Sequence, residues 1–215
     1  MSERTIGFDL DGVLARPAAY FVNFAAIFAG DGSSRAWEPP RPGFGAAARA
    51  VFSRGPVHDE GEIAPESPAA GPRVSGLRSL TEGARYALRF PTADAKAILS
   101  ALQPLARLVL LTNRNAANQE RLERWLAAKG LKDYFEGVHL NDSGEPGTQF
   151  KLRRLMELGI TEYVEDNPDI ADHLARNEVQ VYFRAWRGVR RPRHPSVIAF
   201  RSADELLTSV RGFRP

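Results

Sequence analysis

From Thr92 to the end of the chain, helical and strand periodicities alternate, and this alternation constrains the fold more than any other feature. Ala93 to Leu102 carries a helical pattern, and Arg107 to Leu111 is an apolar strand ending at Thr112-Asn113. An amphipathic stretch from Asn115 to Lys129 stops at Gly130, and Gly137 to Leu140 reads as a short strand before the turn Asn141-Asp-Ser-Gly144. The order then repeats: helix Thr148 to Leu158 closed by Gly159, strand Glu162 to Glu165, and helix Pro168 to Arg176 with Asn167 as N-cap. Strands Val179 to Phe183 and Val197 to Phe200 follow, and the helix Ala203 to Val210 closes the chain. Strands joined through helices pair in parallel, so the predicted class is α/β: a Rossmann-like, three-layer parallel sheet.

The first strand stands apart from this run. Thr5 to Leu10 reads as a buried strand, and if its two-residue period continued, Asp9 and Asp11 would share a side. Gly12 then breaks the strand and allows close approach of backbone to a ligand. Two carboxylates this near each other repel, which suits a site that binds a cation or keeps one carboxyl protonated. Between this strand and Thr92 regularity fades. Tyr20 to Phe28 has helical spacing, whereas Asp31 to Arg73 is rich in Gly and Pro and resists long helices and central strands. Trp37, Phe44, Val51, Phe52 and Ile63 are scattered through it, so an irregular packed insert is expected rather than a linker. The organisation read from this is a core of residues 1–15 and 92–215 with an insert at 16–91.

Ligands of open α/β sheets bind at the carboxyl ends of the strands. Collected there are Asp9 and Asp11, Thr112 and Asn113, and Glu165 and Asp166. Lys151 joins them because, with Thr148 as N-cap, it would put a cation in a first helical turn, against the helix dipole. The inventory matches phosphoryl transfer. A carboxylate can attack phosphorus, a second can move protons, and Mg²⁺ takes hard oxygen ligands. A Lys, a hydroxyl and backbone N–H groups at Gly12 and at the Asn115 helix start can hold phosphoryl oxygens.

Phe8-Asp9-Leu-Asp11-Gly-Val13, Leu110-Leu-Thr112-Asn113, Lys151 and Tyr163-Val-Glu-Asp166-Asn-Pro168 resemble, in order, the four motifs of the haloacid dehalogenase superfamily. The resemblance implies that Asp9 is the nucleophile and Asp11 the general acid/base. Thr112 would hold a phosphoryl oxygen, with Gly12 and Asn113 beside it, and Lys151 would pair with Asp9 and the phosphoryl group. Asp166 would complete a Mg²⁺ site with Asp9 and the Asp11 carbonyl, with Glu165 and Asp169 as competing acids. An Asp at position 11 is similar to the phosphatase branch, and the insert would be a cap over the substrate. The opening motif and the Glu-Asp-x-Pro-Asp stretch are similar to the 5′(3′)-deoxyribonucleotidase-like group, from which Arg16 and the Gly/Pro-rich insert depart. The implied activity is a Mg²⁺-dependent phosphomonoesterase, with a nucleotide among candidate substrates. A phosphomutase or phosphonate hydrolase on the same core, or a catalytically idle binding protein, are the alternatives.

Composition bounds the rest. The 215 residues, 43% hydrophobic, suffice for a proper core, and the absence of Cys excludes disulfides, thiolate metal sites and Cys nucleophiles. A net charge of +3 and a pI near 9.4 permit an anionic partner, which a small phosphate ester satisfies. The basic run Arg184, Arg187, Arg190, Arg191 and Arg193 has only Trp186 among it, so it is read as a solvated loop and no nucleic-acid partner is expected. The four His residues lack metal spacing. Residues 18–30 form the most apolar window and are too short to span a bilayer, and Met1 to Arg4 lead at once into a strand, leaving no room for a signal peptide. A cytoplasmic location is expected; nothing in the residues sets an oligomeric state.

Overall fold

The computed structural model describes residues 4–16, 89–187 and 189–213; the helix expected over 20–28 and nearly all of the Gly/Pro-rich insert lie outside them. In chain order the strands are β1 (Thr5–Phe8), β2 (Ala15–Arg16), β3 (Phe90–Pro91), β4 (Arg107–Asn115), β5 (Gly137–Asn141), β6 (Glu162–Glu165), β7 (Gln180–Arg184) and β8 (Ile198–Phe200). The helices are α1 (Ala95–Leu102), α2 (Gln119–Ala128), α3 (Gly147–Glu157), α4 (Pro168–Arg176) and α5 (Ala203–Gly212). The expected alternation is therefore present, with shifted ends. The stretch foreseen as one helix from Asn115 opens as a 3₁₀ turn at Ala116–Asn118, because the Asn115 side chain caps Ala117 N–H and ends β4 there.

Six strands form one parallel sheet in the order β5-β4-β1-β6-β7-β8. Strand β1 lies inside, and the chain runs outward from it first to one side and then to the other. The carboxyl end of β1 is thus the switch point of the sheet, where a crevice opens for ligands. Alternation along each strand feeds two cores. Leu108 and Leu110 of β4, Ile6 and Phe8 of β1, and Val164 of β6 face the layer of α1, α2 and α5. Val109, Leu111, Tyr163, Val181 and Phe183 face α3 and α4. Gly7 points toward this second layer and must be small: a Cβ there would lie 2.6 Å from Cδ2 of Tyr163. Among the described residues no helix is long and apolar enough to cross a membrane.

A second, two-stranded sheet was not foreseen. Ala15 pairs with Pro91 and Arg16 with Phe90, antiparallel, so residues on either side of the insert are neighbours. Thr92 fastens this pair to the first loop, its N–H donating to Leu14 O at 2.9 Å and its hydroxyl to Val13 O at 3.2 Å. Arg184 is a correction. It belongs to β7, is buried, and pairs with Asp94 at 2.7 Å rather than lying in a solvated loop, while Arg187, Arg191 and Arg193 are exposed as expected. The pairing also explains why Asp94, at the N-cap of α1, makes no side-chain capping bond.

At the opposite edge of the sheet Glu162, 1% exposed, receives Arg4 Nε and Nη2 at 2.7 Å each and the Tyr182 hydroxyl at 2.7 Å. Burial and then the Glu162 carboxylate push the Tyr182 hydroxyl well above its usual range. Replacing Glu162 by Ala would leave Arg4 and Tyr182 without this acceptor; the expected loss is about 2–4 kcal/mol, read from urea unfolding.

Candidate active site

The loop after β1 is shaped by apolar anchors. Leu10, Val13 and Leu14 are fully buried, and backbone bonds from Leu14 and Ala15 N–H to Leu10 O (2.9 Å each) fold the segment tightly back on itself. The strand ends at Phe8, so Asp9 and Asp11 are positioned by this turn rather than by strand alternation. Asp9 N–H donates to Val164 O at 3.0 Å, which pins the Asp9 backbone to β6, and its side chain is buried.

Asp9 meets Lys151 and Glu165. Lys151 Nζ lies 3.0 Å from Asp9 Oδ1 and 2.9 Å from Glu165 Oε2, and all three side chains are at most 1% exposed. A buried ammonium is tolerated only against such partners. This corrects the helix-end reading: α3 begins at Gly147 after Pro146, so Lys151 falls in the second turn and its burial is explained by the two carboxylates. Arg153 and Arg154 of the same helix lie outside this site and pair with Glu145 and Glu157.

Asp166 joins from the end of β6. Asp9, Glu165 and Asp166 each offer a carboxylate oxygen within 4.8 Å of the others. With all groups ionised, three carboxylates against one ammonium leave −3 + 1 = −2, the charge a divalent cation neutralises. The donor set is hard oxygen only, which fits Mg²⁺. Glu165 is the most committed of the three, since Oε2 faces Lys151 and Oε1 accepts the N–H groups of Asp166 and Asn167 at 2.9 Å each. Asp169 lies apart; its side chain is 77% exposed and paired with Arg190. Asn167 caps α4 as expected, accepting from Asp169 and Ile170 N–H.

Gly12 holds the two motifs together. Its φ is +76°, and a Cβ built on it would fall 1.6 Å from Asp166 Oδ2, so only glycine lets the Asp166 carboxylate approach. Its N–H donates to Ala15 O at 2.8 Å, which corrects the expectation that this amide is available to a phosphoryl oxygen. Thr112 stands differently. Its Oγ1 is buried and finds no hydrogen-bond partner among the described residues, as for a hydroxyl reserved for a ligand. Asn113 turns away from the acids: its Oδ1 accepts from Asn141 Nδ2 at 2.6 Å, and its amide abuts Gly147 at the start of α3.

Asp11 carries a clamp that the sequence reading missed. Arg89 Nη2 lies 2.8 Å from its Oδ1, and Arg114 Nη2 and Nε lie 2.7 and 2.8 Å from its Oδ2. Burial alone would push this carboxyl up, but Arg114 and then Arg89 outweigh it, with Lys151 adding to them, and the group is held below the ordinary Asp range. Arg114 could have been suspected from its place just after Thr112-Asn113. Arg89, at the edge of the insert, left no signal. Asn141 had a weak one, in the turn-forming Asn-x-Ser-Gly pattern whose side chain caps Ser143 and Gly144 N–H.

No family model and no curated protein matches the sequence. Solved structures do match. A haloacid dehalogenase-like family hydrolase from Streptococcus pneumoniae superposes with a TM-score of 0.59 at 15% identity over 97% of this chain and 99% of that one. The L-2-haloacid dehalogenase of Xanthobacter autotrophicus, with chloropropionic acid covalently bound, gives 0.60 at 18% identity over 99% and 100%. A haloacid dehalogenase family hydrolase from Deinococcus radiodurans, with bound phosphate and sodium, gives 0.55 at 16% identity over 97% and 95%. The chain has the haloacid dehalogenase-like fold. In that fold this chain brings Asp9, Glu165, Asp166 and Lys151 to one point at the switch of the sheet.

Two outcomes follow from this geometry. Gly12→Ala should cost about 1–2 kcal/mol in stability from its positive φ, and by displacing Asp166 should weaken any divalent-cation binding by the acid cluster roughly tenfold or more in a calorimetric titration with Mg²⁺. Because the Asp11 pKa is lowered on folding, its contribution is present above the unfolded value of about 3.9 and is lost as pH falls through the folded one. The difference in urea midpoint between wild type and Asp11→Asn should therefore narrow from pH 5 to pH 3.

Proposed function

We propose that the protein is a Mg²⁺-dependent phosphomonoesterase acting on a small phosphate ester through a phosphorylated Asp9. The observation that carries this reading is the buried Lys151 bridging Asp9 and Glu165 beside the Asp166 carboxylate, with the partnerless Thr112 hydroxyl at the end of the neighbouring strand. The hydrolase fold shared with structures holding phosphate or a covalently bound acid supports it. Asp9 and Asp166 would hold the ion together with the Asp11 carbonyl, while Glu165 orients Lys151 and the loop. Bound there, Mg²⁺ would neutralise charge on the phosphoryl oxygens and keep the nucleophile and the phosphate from repelling.

In the first half-reaction an Asp9 oxygen attacks phosphorus, the bond from phosphorus to the ester oxygen breaks, and the departing alkoxide takes a proton from Asp11. Lys151 and Thr112 steady the phosphoryl oxygens. In the second, Asp11 as carboxylate takes a proton from water, the water oxygen attacks phosphorus, and the acyl phosphate bond breaks, freeing Asp9 and inorganic phosphate. The Arg89–Asp11–Arg114 clamp favours this second half, in which Asp11 must be ionised. Donating a proton in the first half requires Asp11 to leave the clamp or be served by a leaving group of low basicity.

The insert at 16–91 would act as the cap, since the β2–β3 pair sets its two ends side by side next to Asp11. Substrate choice would reside there, with a nucleotide among the candidates. In an assay of aryl phosphate hydrolysis with Mg²⁺, Asp9→Asn should lower kcat by roughly a thousandfold or more while circular dichroism shows the fold intact, and chelation of Mg²⁺ should lower wild-type kcat likewise. Undiminished turnover by Asp9→Asn would overturn the mechanism.

A further inference from the structure

The carboxyl edge of the sheet carries a second concave feature, lined by none of the clustered acids. Where the chain leaves β7 and β8, Ala185, Trp186, Arg187, Val189, Arg191 and Arg201 line an open cavity of about 420 Å³. That is room enough for a small molecule. Arg187, Arg191 and Arg201 are exposed, and among the described residues none of their guanidiniums pairs with a carboxylate, although the Arg201 backbone N–H donates to Glu205 Oε2 at 2.7 Å. Their neighbours differ: Arg184 is taken by Asp94, and Arg190 by Asp169 and Asp172. Three guanidiniums around one hollow repel each other, and an oxyanion relieves that repulsion while matching their forked donors.

The wall is rigid. Trp186 donates Nε1–H to Gly12 O at 2.8 Å, and the guanidiniums of Arg16 and Arg184 lie 4.7 and 4.5 Å from its ring centroid. Turning the indole into the cavity would break this hydrogen bond and both ring contacts, and the bond joins the cavity to the loop that presents Asp9 and Asp11. We propose that this cavity binds a phosphate-class oxyanion carried by a small molecule, at a site separate from the acid centre. The oxyanion has two possible sources. It could be the far end of the substrate, since β7 lies two strands from β1, about 10 Å across the sheet. It could equally belong to a separate ligand. Only the first source rests on the phosphatase reading.

The test uses the full chain labelled with ¹⁵N, in which three Trp give three indole signals and Trp186→Phe identifies the relevant one. Titration with inorganic phosphate should move the Trp186 signal saturably in wild type. In the triple variant R187A/R191A/R201A the affinity should fall at least tenfold. If the signal does not move in wild type, or the triple variant binds with wild-type affinity, the proposal is overturned, whether or not the protein hydrolyses any ester. Should the triple variant fail to fold, the three single variants serve, each expected to lower affinity severalfold. Turnover then separates the sources. A kcat/KM loss in the variant confined to bisphosphorylated substrates marks the far end of the substrate, and lost phosphate binding with no such preference marks a separate ligand.

Discussion

The acid cluster depends on the buried ammonium of Lys151. Without the Lys151 ammonium, Asp9 and Glu165 would be two carboxylates of at most 1% exposure in close company with a third, repelling one another in a water-poor interior. With it, the Asp9 carboxylate has a countercharge 3.0 Å away at the end of a central strand. Much of the surrounding polar structure serves this arrangement. Glu165 is steadied by the N–H groups that follow it, and Asn113 with Asn141 fixes the start of the helix that delivers Lys151.

The topology makes such a convergence possible. In the order β5-β4-β1-β6-β7-β8 the central strand receives neighbours from opposite directions of the chain, so residues 9, 112 and 165 end at the same edge. Helix α3, which crosses from β5 back to β6, passes over that edge and supplies the lysine. The ends of the insert are pinned at the same place by β2 and β3, with Arg89 reaching Asp11 from the returning strand.

Asp11 shows how fold and chemistry are set against each other. The two arginines that hold it stabilise its anion and so the folded loop, and any proton transfer through Asp11 would work against them. Trp186 ties the loop from behind through the Gly12 carbonyl. The acid loop is thereby coupled to β3, β4 and the end of β7 together.

The sequence by itself determined the class of fold and the places where chemistry would gather, because both rest on local regularities. Strand and helix periods survive in any α/β chain, and acidic residues at strand ends stand out against apolar runs. Together with the resemblance to four known motifs, that was enough to name Asp9, Asp11, Thr112 and Asp166, while Lys151 was named from a helix-end reading that packing replaced. Only tertiary structure decided what each group touches. That Lys151 is buried between carboxylates, that the Gly12 amide is consumed by Ala15, that Asn113 serves Asn141, and that Asp11 lies between Arg89 and Arg114 all depend on pairings separated by up to 140 residues or so. Arginines are common and carry no local pattern, so which of them is buried against an acid and which is left facing an open hollow is settled by packing alone.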